Sequence, residues 1–370
     1  SSTSGHQLAD SVRGAGKRLY SNLTSAENTN SNILTSFDGD GFSIGNDGAY
    51  NANGDTYVGW AWDAGDNNAP TGHSSVTYIG NGGTKSIRGL GFSPAFVWIK
   101  VRDGANNHRL FDVVRGPTKD LITNSTSSES TTSTRLQSFD DDGFTVGSNA
   151  EVNTSGGDIV GWCWEGGGTP TADNSASAGA TPTAGSVKID GSNLGSALAG
   201  SIAATKLSAN TTRGFSIGTF TKGSGTETVA HGLGAAPDWL IVKRLDSTGS
   251  WIVYHSGNTA NPETDYLRIN STNGTADEAT FWNDTAPTST VFTVGAAFNS
   301  GEELVFYAWT DITGYSKFSS YTGDGTTDGS KTITTGFRPG FVMMKNTSSG
   351  GTNWLMFDSS REPDPTIELE

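Results

Sequence analysis

Along most of the chain, apolar and polar positions alternate with a period of two rather than in a helical stripe. In TYVGWAW (56 to 62), Val58, Trp60 and Trp62 fall on one face, and Tyr57, Gly59 and Ala61 on the other. DIVGWCW (158 to 164) repeats the arrangement, with Val160, Trp162 and Trp164 set against Ile159, Gly161 and Cys163. In AFVWIK (95 to 100) a preceding proline forces an extended entry into a β-branched and aromatic centre. Turn signals separate these runs, among them GNGG (80 to 83), STGS (247 to 250) and TGDG (322 to 325). Many short strands with closely spaced turns predict an all-β chain of tandem antiparallel β-sandwich, jelly-roll-like repeats.

Self-comparison shows that these strands belong to a repeat. GLGFSPAFVWIK (89 to 100) returns as HGLGAAPDWLIVK (231 to 243) and TGFRPGFVMMK (335 to 345). HRLFD (108 to 112) matches WIVYH (251 to 255) and WLMFD (354 to 358). SFDGDGFSIG (36 to 45) matches SFDDDGFTVG (138 to 147) and the degraded TSTVFTVG (288 to 295), and ELVFYAW (303 to 309) is the third aromatic strand. The order predicts complete units at 74–165 and 214–312, the second half of a unit at 1–63 and the first half of one at 315–370. Segment 166–213 reads as a linker or insertion, with a short helix expected around Leu198 and Ile202. Half a sandwich exposes sheet edges. Two explanations follow: an excerpt of a longer repeat protein, or self-association in which one copy's C-terminal half completes the next copy's N-terminal half, giving a head-to-tail or fibre oligomer.

Charge and composition narrow the partners. The chain has 370 residues, 50 of them glycine, and 23 basic against 38 acidic side chains give a net charge of −15. Nucleic acid is not an expected partner, because phosphate binding needs clustered Lys and Arg. The single Cys163 excludes an intrachain disulfide, and the five histidines have no zinc spacing. SSTSGHQLAD at the start lacks the apolar core of a signal peptide, and no run approaches the ~18 apolar residues that mark a membrane span.

Several local patterns invite chemical readings. Gly41-Phe42-Ser43-Ile44-Gly45 spells a nucleophile elbow, but its second copy has Thr145 for Ser43 and no helical pattern follows, so a strand is expected and no enzyme is. Asp38 and Asp40, with Asp140, Asp141 and Asp142, supply hard oxygens for calcium, the one cofactor considered; Asp-Gly turn chemistry accounts for them equally well. Ten tryptophans raise glycan stacking. Trp60, Trp62, Trp162 and Trp164 alternate as core residues do, which leaves Trp251 and Trp282 as the candidates for exposure. Arg13, Arg115 and Arg361 each follow an aspartate (Asp10, Asp112, Asp358) by three positions, which predicts an Asp–Arg clamp at a strand end. Sequons such as Asn124-Ser125-Thr126 and Asn270-Ser271-Thr272 are expected by chance in this composition.

The runs GFRPGFVMMK and NWLMFDSSREP, the series DVVRGPTKDL, LQSFDDDGFTVG and DIVGWCWEGGG, and the segment from IDGS to SANTTRGFSI resemble a repeat domain of marine bacteriophage (cyanophage-type) virion structural proteins. The resemblance implies a non-enzymatic structural protein on a virion, as an exposed tail fibre, head fibre or other appendage. It transfers no catalytic residues. Phage proteins leave the host by lysis, which agrees with the missing signal peptide. Two other readings are a host-surface glycan-binding adhesin and a bacterial extracellular filament subunit, which share the virion or extracellular location.

Overall fold

The computed structural model describes residues 8–10, 14–20, 22–30, 32–38, 40–62, 72–325, 331–351 and 354–358. It is built from sheets whose strand pairings, among the described residues, are antiparallel but for one, with single-turn helices such as Ala150–Asn153 at strand ends. Arg13 and Arg361 lie outside the described residues.

Each unit pairs one large sheet with one small sheet. In unit II the large sheet runs Ser130–Thr131, Lys119–Ile122, Arg109–Asp112, Pro94–Val101, Asp158–Glu165, His73–Ile79. Its small sheet is Leu136–Asp140, Gly143–Val146, Lys85–Arg88. Unit III has the same order at the centre of its large sheet: Phe215–Thr221, Glu303–Trp309, Trp239–Arg244, Ile252–His255, Asp265–Arg268, Ala276–Asp277. The small sheet there is Glu227–Ala230 with Val291–Val294.

Unit I is assembled from the two halves of the chain. Thr56–Trp62 pairs antiparallel with Ser316–Thr322 on one side and Phe341–Asn346 on the other. In the small sheet, Gly41–Ile44 lies between Leu34–Asp38 and Lys331–Thr334. The half-units therefore complete each other within one molecule. This corrects the expectation that a neighbouring copy supplies the missing strands: the edges such an addition requires are already hydrogen-bonded in cis.

The segment expected to link units II and III instead extends a sheet. Val187–Ile189 pairs parallel with Lys206–Asn210, which pairs antiparallel with Phe215–Thr221. No helix forms around Leu198 and Ile202; Gly200 and Ile202 bridge to Val229. Registry with an open strand edge satisfies backbone groups that a single helical turn leaves unpaired.

The large sheets are buried on both faces. Ile159 and Cys163 join Phe144, Val146 and Ile87 inside unit II, while Val160, Trp162 and Trp164 enter a core shared by all three units. Tyr57 and Ala61 against Val58, Trp60 and Trp62 repeat the division in unit I. In unit III it separates Leu304, Phe306 and Ala308 from Val305, Tyr307 and Trp309. The period-two pattern of the aromatic strands is thus the boundary between two cores.

At the centre the equivalent residues Trp62, Trp164 and Trp309 contact one another, with ring centroids 5.3, 6.2 and 6.4 Å apart. Each is backed by the equivalent ring of its own sheet: Phe341 at 4.9 Å, Phe96 at 5.1 Å and Trp239 at 4.2 Å. The molecule is a closed ring of three related units around a pseudo-threefold axis of aromatic side chains. A buried ring of this size removes on the order of 200 Å² from water, about 5 kcal/mol at 25 cal/mol/Å² as an upper bound. The indole nitrogens of Trp62, Trp164, Trp239 and Trp309 have no hydrogen-bond partner among the described residues. Their neighbours are aromatic faces, which accept N–H groups weakly.

Candidate functional site: the seams between units

Where consecutive units meet, the same contacts recur three times. The last residue of the block ending in Lys100, Lys243 or Lys345 is fully buried. Its ammonium donates to a backbone carbonyl of the preceding unit: Lys100 to Thr24 at 3.5 Å, Lys243 to Thr126 at 3.3 Å, Lys345 to Thr272 at 3.4 Å. Each also donates to its own strand end, at Val101 (2.6 Å), Arg244 (3.0 Å) and Asn346 (2.8 Å). Burial lowers these amines, Lys100 and Lys243 to about 8 and Lys345 to about 7.

A ring N–H closes each seam beside the lysine. His108 donates to the Tyr20 carbonyl at 2.7 Å, Trp251 to Ile122 at 3.0 Å, and Trp354 to Arg268 at 2.6 Å. Backbone bonds accompany them: Glu27 N–H to the Arg102 carbonyl (2.8 Å), Glu129 to Leu245 (2.9 Å), and Thr275 to Thr347 (2.9 Å). Trp251 is therefore a seam residue and fully buried, contrary to the expectation of exposure. Trp282 is also buried, inside unit III, where its N–H donates to the Asp265 carbonyl at 3.0 Å. Both indoles have carbonyl acceptors to satisfy them, so burial carries no polar penalty.

The expected Asp–Arg clamp is present in unit II and extends across a seam. Asp112 accepts from Arg115 Nε at 2.6 Å, from the Val114 and Arg115 amides at 3.1 and 2.9 Å, and from the Tyr307 hydroxyl of unit III at 2.7 Å. At the equivalent place in unit I, Asp358 accepts from the Trp162 indole of unit II. In unit III that position is His255, which meets Trp60 of unit I edge-on, 4.9 Å between centroids. Burial lowers the His255 imidazole to about 3, so it is neutral at ordinary pH.

Around this shared frame the side chains diverge. Glu27 of unit I pairs with Arg102 of unit II at 3.3 Å, and Glu129 of unit II with Arg115 at 3.2 Å. The third seam has Thr275 where the others have glutamate, Asn258 where unit II has Arg115, and Thr347 where the others have Arg102 and Leu245. A pocket of about 230 Å³ sits at the second seam, lined by Arg115, Lys119, Glu129, Leu245 and Glu303. The equivalent pocket at the third seam is about 460 Å³, lined by Thr56, Asn258, Thr275, Ser320, Thr347 and Ser348. A third cavity, about 520 Å³, lies where residues 166–213 meet unit II; Glu165, Asp190, Asn210 and Arg213 line it, with Glu165 and Arg213 3.4 Å apart.

The acidic hairpins do not converge. Asp38 accepts from the Ser43 hydroxyl at 2.8 Å; Asp140 accepts from Ser138 and Thr145 at 2.8 Å each and faces Arg88 at 3.3 Å. Asp142 accepts from the Gly89 and Gly91 amides at 3.1 and 2.7 Å, and the Asp40 carbonyl accepts from the Thr335 amide at 2.8 Å. Among the described residues, no group of three or more His, Cys, Asp or Glu side chains is placed to hold a metal. Ser43 lies in a strand, paired with Thr332 of the small sheet. Gly41 and Gly143 are required by close approach: a Cβ there stands 1.9 Å from the carbonyl oxygen of Ile333 or Ile87. The seam lysines, by contrast, were visible as the shared ends of three blocks; what the sequence did not show was the carbonyl each one reaches.

The family described as "Domain of unknown function (DUF7483)" matches residues 1–74, 69–191 and 187–369. The chain belongs to this family. No curated protein and no solved structure matches it. The three matches run along nearly the whole chain, in keeping with the internal repeat. Among the described residues, no helix is long and apolar enough to cross a membrane.

Proposed function

We propose that this protein is a non-enzymatic structural component of a bacteriophage particle, forming or decorating an exposed fibre or appendage. The observation that supports this reading is the locked ring: three sandwiches share one aromatic core, and each seam repeats the same buried lysine, ring N–H and backbone bonds. Such a body presents three outer sheets at fixed angles and resists shear between units, as a display element on a particle surface must. Assembly into a larger fibre then proceeds through outer surfaces rather than through exchange of half-units. Immunogold labelling of purified particles, with mass spectrometry of the same preparation, tests the proposal. Label on an appendage is the expected result; particles free of the protein overturn it. A second reading, an adhesin module for surface glycans, draws on the hydroxyl-lined pocket at the third seam.

A further inference from the structure

The two seam pockets are built at equivalent positions with opposite chemistry. Arg115, Glu129, Leu245, Glu303 and Thr219 of the second seam correspond to Asn258, Thr275, Thr347, Thr56 and Ser320 of the third. In the second, Arg115 is consumed by Asp112 and Glu129, and Lys119 also pairs with Glu129 at 2.9 Å. Among the described residues that line the third pocket, none is ionisable. Shorter side chains at these positions leave twice the volume.

The third pocket also holds unused polar groups. Asn258 is 5% exposed, and its carbonyl oxygen accepts the Thr275 hydroxyl at 2.7 Å. That bond fixes the amide so that its NH₂ has no protein acceptor among the described residues, although it lines the cavity. The NH₂ faces the cavity, where water or a ligand can accept from it. The hydroxyls of Thr56 and Ser320 likewise have no side-chain hydrogen bond among the described residues. Thr347 and Ser348, in contrast, are held against the Thr56 backbone at 3.0 and 2.5 Å, which makes the wall rigid.

We propose that the pocket between units III and I, centred on Asn258, Thr56 and Ser320, is a binding site for a neutral polyhydroxylated ligand, a mono- or disaccharide unit. Hydroxyl groups of a sugar both donate and accept, which matches one fixed NH₂ and two rotatable hydroxyls. The cavity size suits one or two sugar rings, within the range of ordinary ligand pockets. A charged ligand finds no counter-ion on this wall, and His255 behind it is neutral. The absence of an aromatic platform in the lining makes millimolar affinity the expectation, strengthened on a particle by repetition. The site stands independently of where the protein is displayed.

The test is a chemical-shift titration of the full chain with methyl α-glucoside, methyl α-galactoside, N-acetylglucosamine and maltose, with glucuronate and inorganic phosphate as charged probes. The expected result is saturable perturbation at Asn258, Thr275, Ser320 and Thr347 by at least one neutral sugar. The double variant Asn258→Arg with Thr275→Glu restores the side chains of the second seam, and is expected to weaken binding by at least about tenfold. Thr347→Leu fills the same space without charge and serves if the double variant does not fold. The proposal is overturned if no neutral sugar perturbs these residues at millimolar concentration, if the effect survives in the variants, or if a charged probe binds more tightly.

Discussion

The Tyr307 hydroxyl of unit III donates to the Asp112 carboxylate of unit II at 2.7 Å, and the two side chains are fully buried. This bond joins a strand-end clamp to the central aromatic strand of the next unit. Tyr307→Phe removes one donor of four and is expected to cost about 1 kcal/mol. Asp112→Ala leaves the Arg115 guanidinium buried without its main partner and is expected to cost about 3 to 5 kcal/mol. Urea unfolding of the single and double variants measures both, and strict additivity would deny the coupling.

Closure of unit I in cis can be tested by cutting it. A chain ending at residue 314 leaves both edges of Thr56–Trp62 unpaired and exposes Trp60 and Trp62. It is expected to aggregate or elute as large species in size-exclusion chromatography. Adding a 315–370 peptide during refolding is expected to restore a species of full-chain size. A truncated chain that is soluble and natively folded alone would contradict the closure.

Acid should weaken the fold through its histidines. Burial lowers His73 and His255 to about 3 and His231 to about 4, and His108 well below its ordinary value. Because the unfolded values near 6.5 are higher, the unfolded chain binds protons first. Stability present above about pH 6.5 is lost as the pH falls toward 4, at about 1.4 kcal/mol per pH unit for each such group. Denaturant midpoints between pH 7 and pH 4.5 give the measurement, and a flat profile would refute the burial of these rings.

Alkali tests the seam lysines, whose linkage has the same sign as that of the histidines but acts in a higher pH window. Their folded values, about 7 to 8, lie below the ordinary value of 10.5. Between these limits the folded chain carries fewer protons, so stability is expected to rise as the pH increases from 8 to 10. The Lys345→Met variant should show a shallower rise than the parent chain in the same denaturant series.

Two substitutions, one in each acidic hairpin, separate a strand from a nucleophile. Gly143→Ala places a Cβ 1.9 Å from the Ile87 carbonyl oxygen, and a cost of about 2 kcal/mol or more is expected from thermal unfolding. Ser43→Ala deletes one hydroxyl bond to Asp38 and is expected to cost about 1 kcal/mol.

The sequence by itself determined the strands, because a half-buried pleated strand must alternate, and it determined the repeat, because equivalent strands fill equivalent surroundings. It also set the Asp112–Arg115 clamp, whose three-residue spacing at a strand end is a local property. Tertiary structure alone decided what lies outside each unit. Both faces of Thr56–Trp62 are covered, one by its own sandwich and one by the other units, and alternation records only that the faces differ. Trp251 looked free because its acceptor, the Ile122 carbonyl, is 129 positions away in sequence. The pairing of Thr56–Trp62 with Phe341–Asn346 is equally invisible locally, since strand registry depends on which edges meet in space. The hydroxyl-lined pocket is of the same kind: Asn258, Thr56 and Ser320 come from three distant segments, and only closure of the ring brings them together.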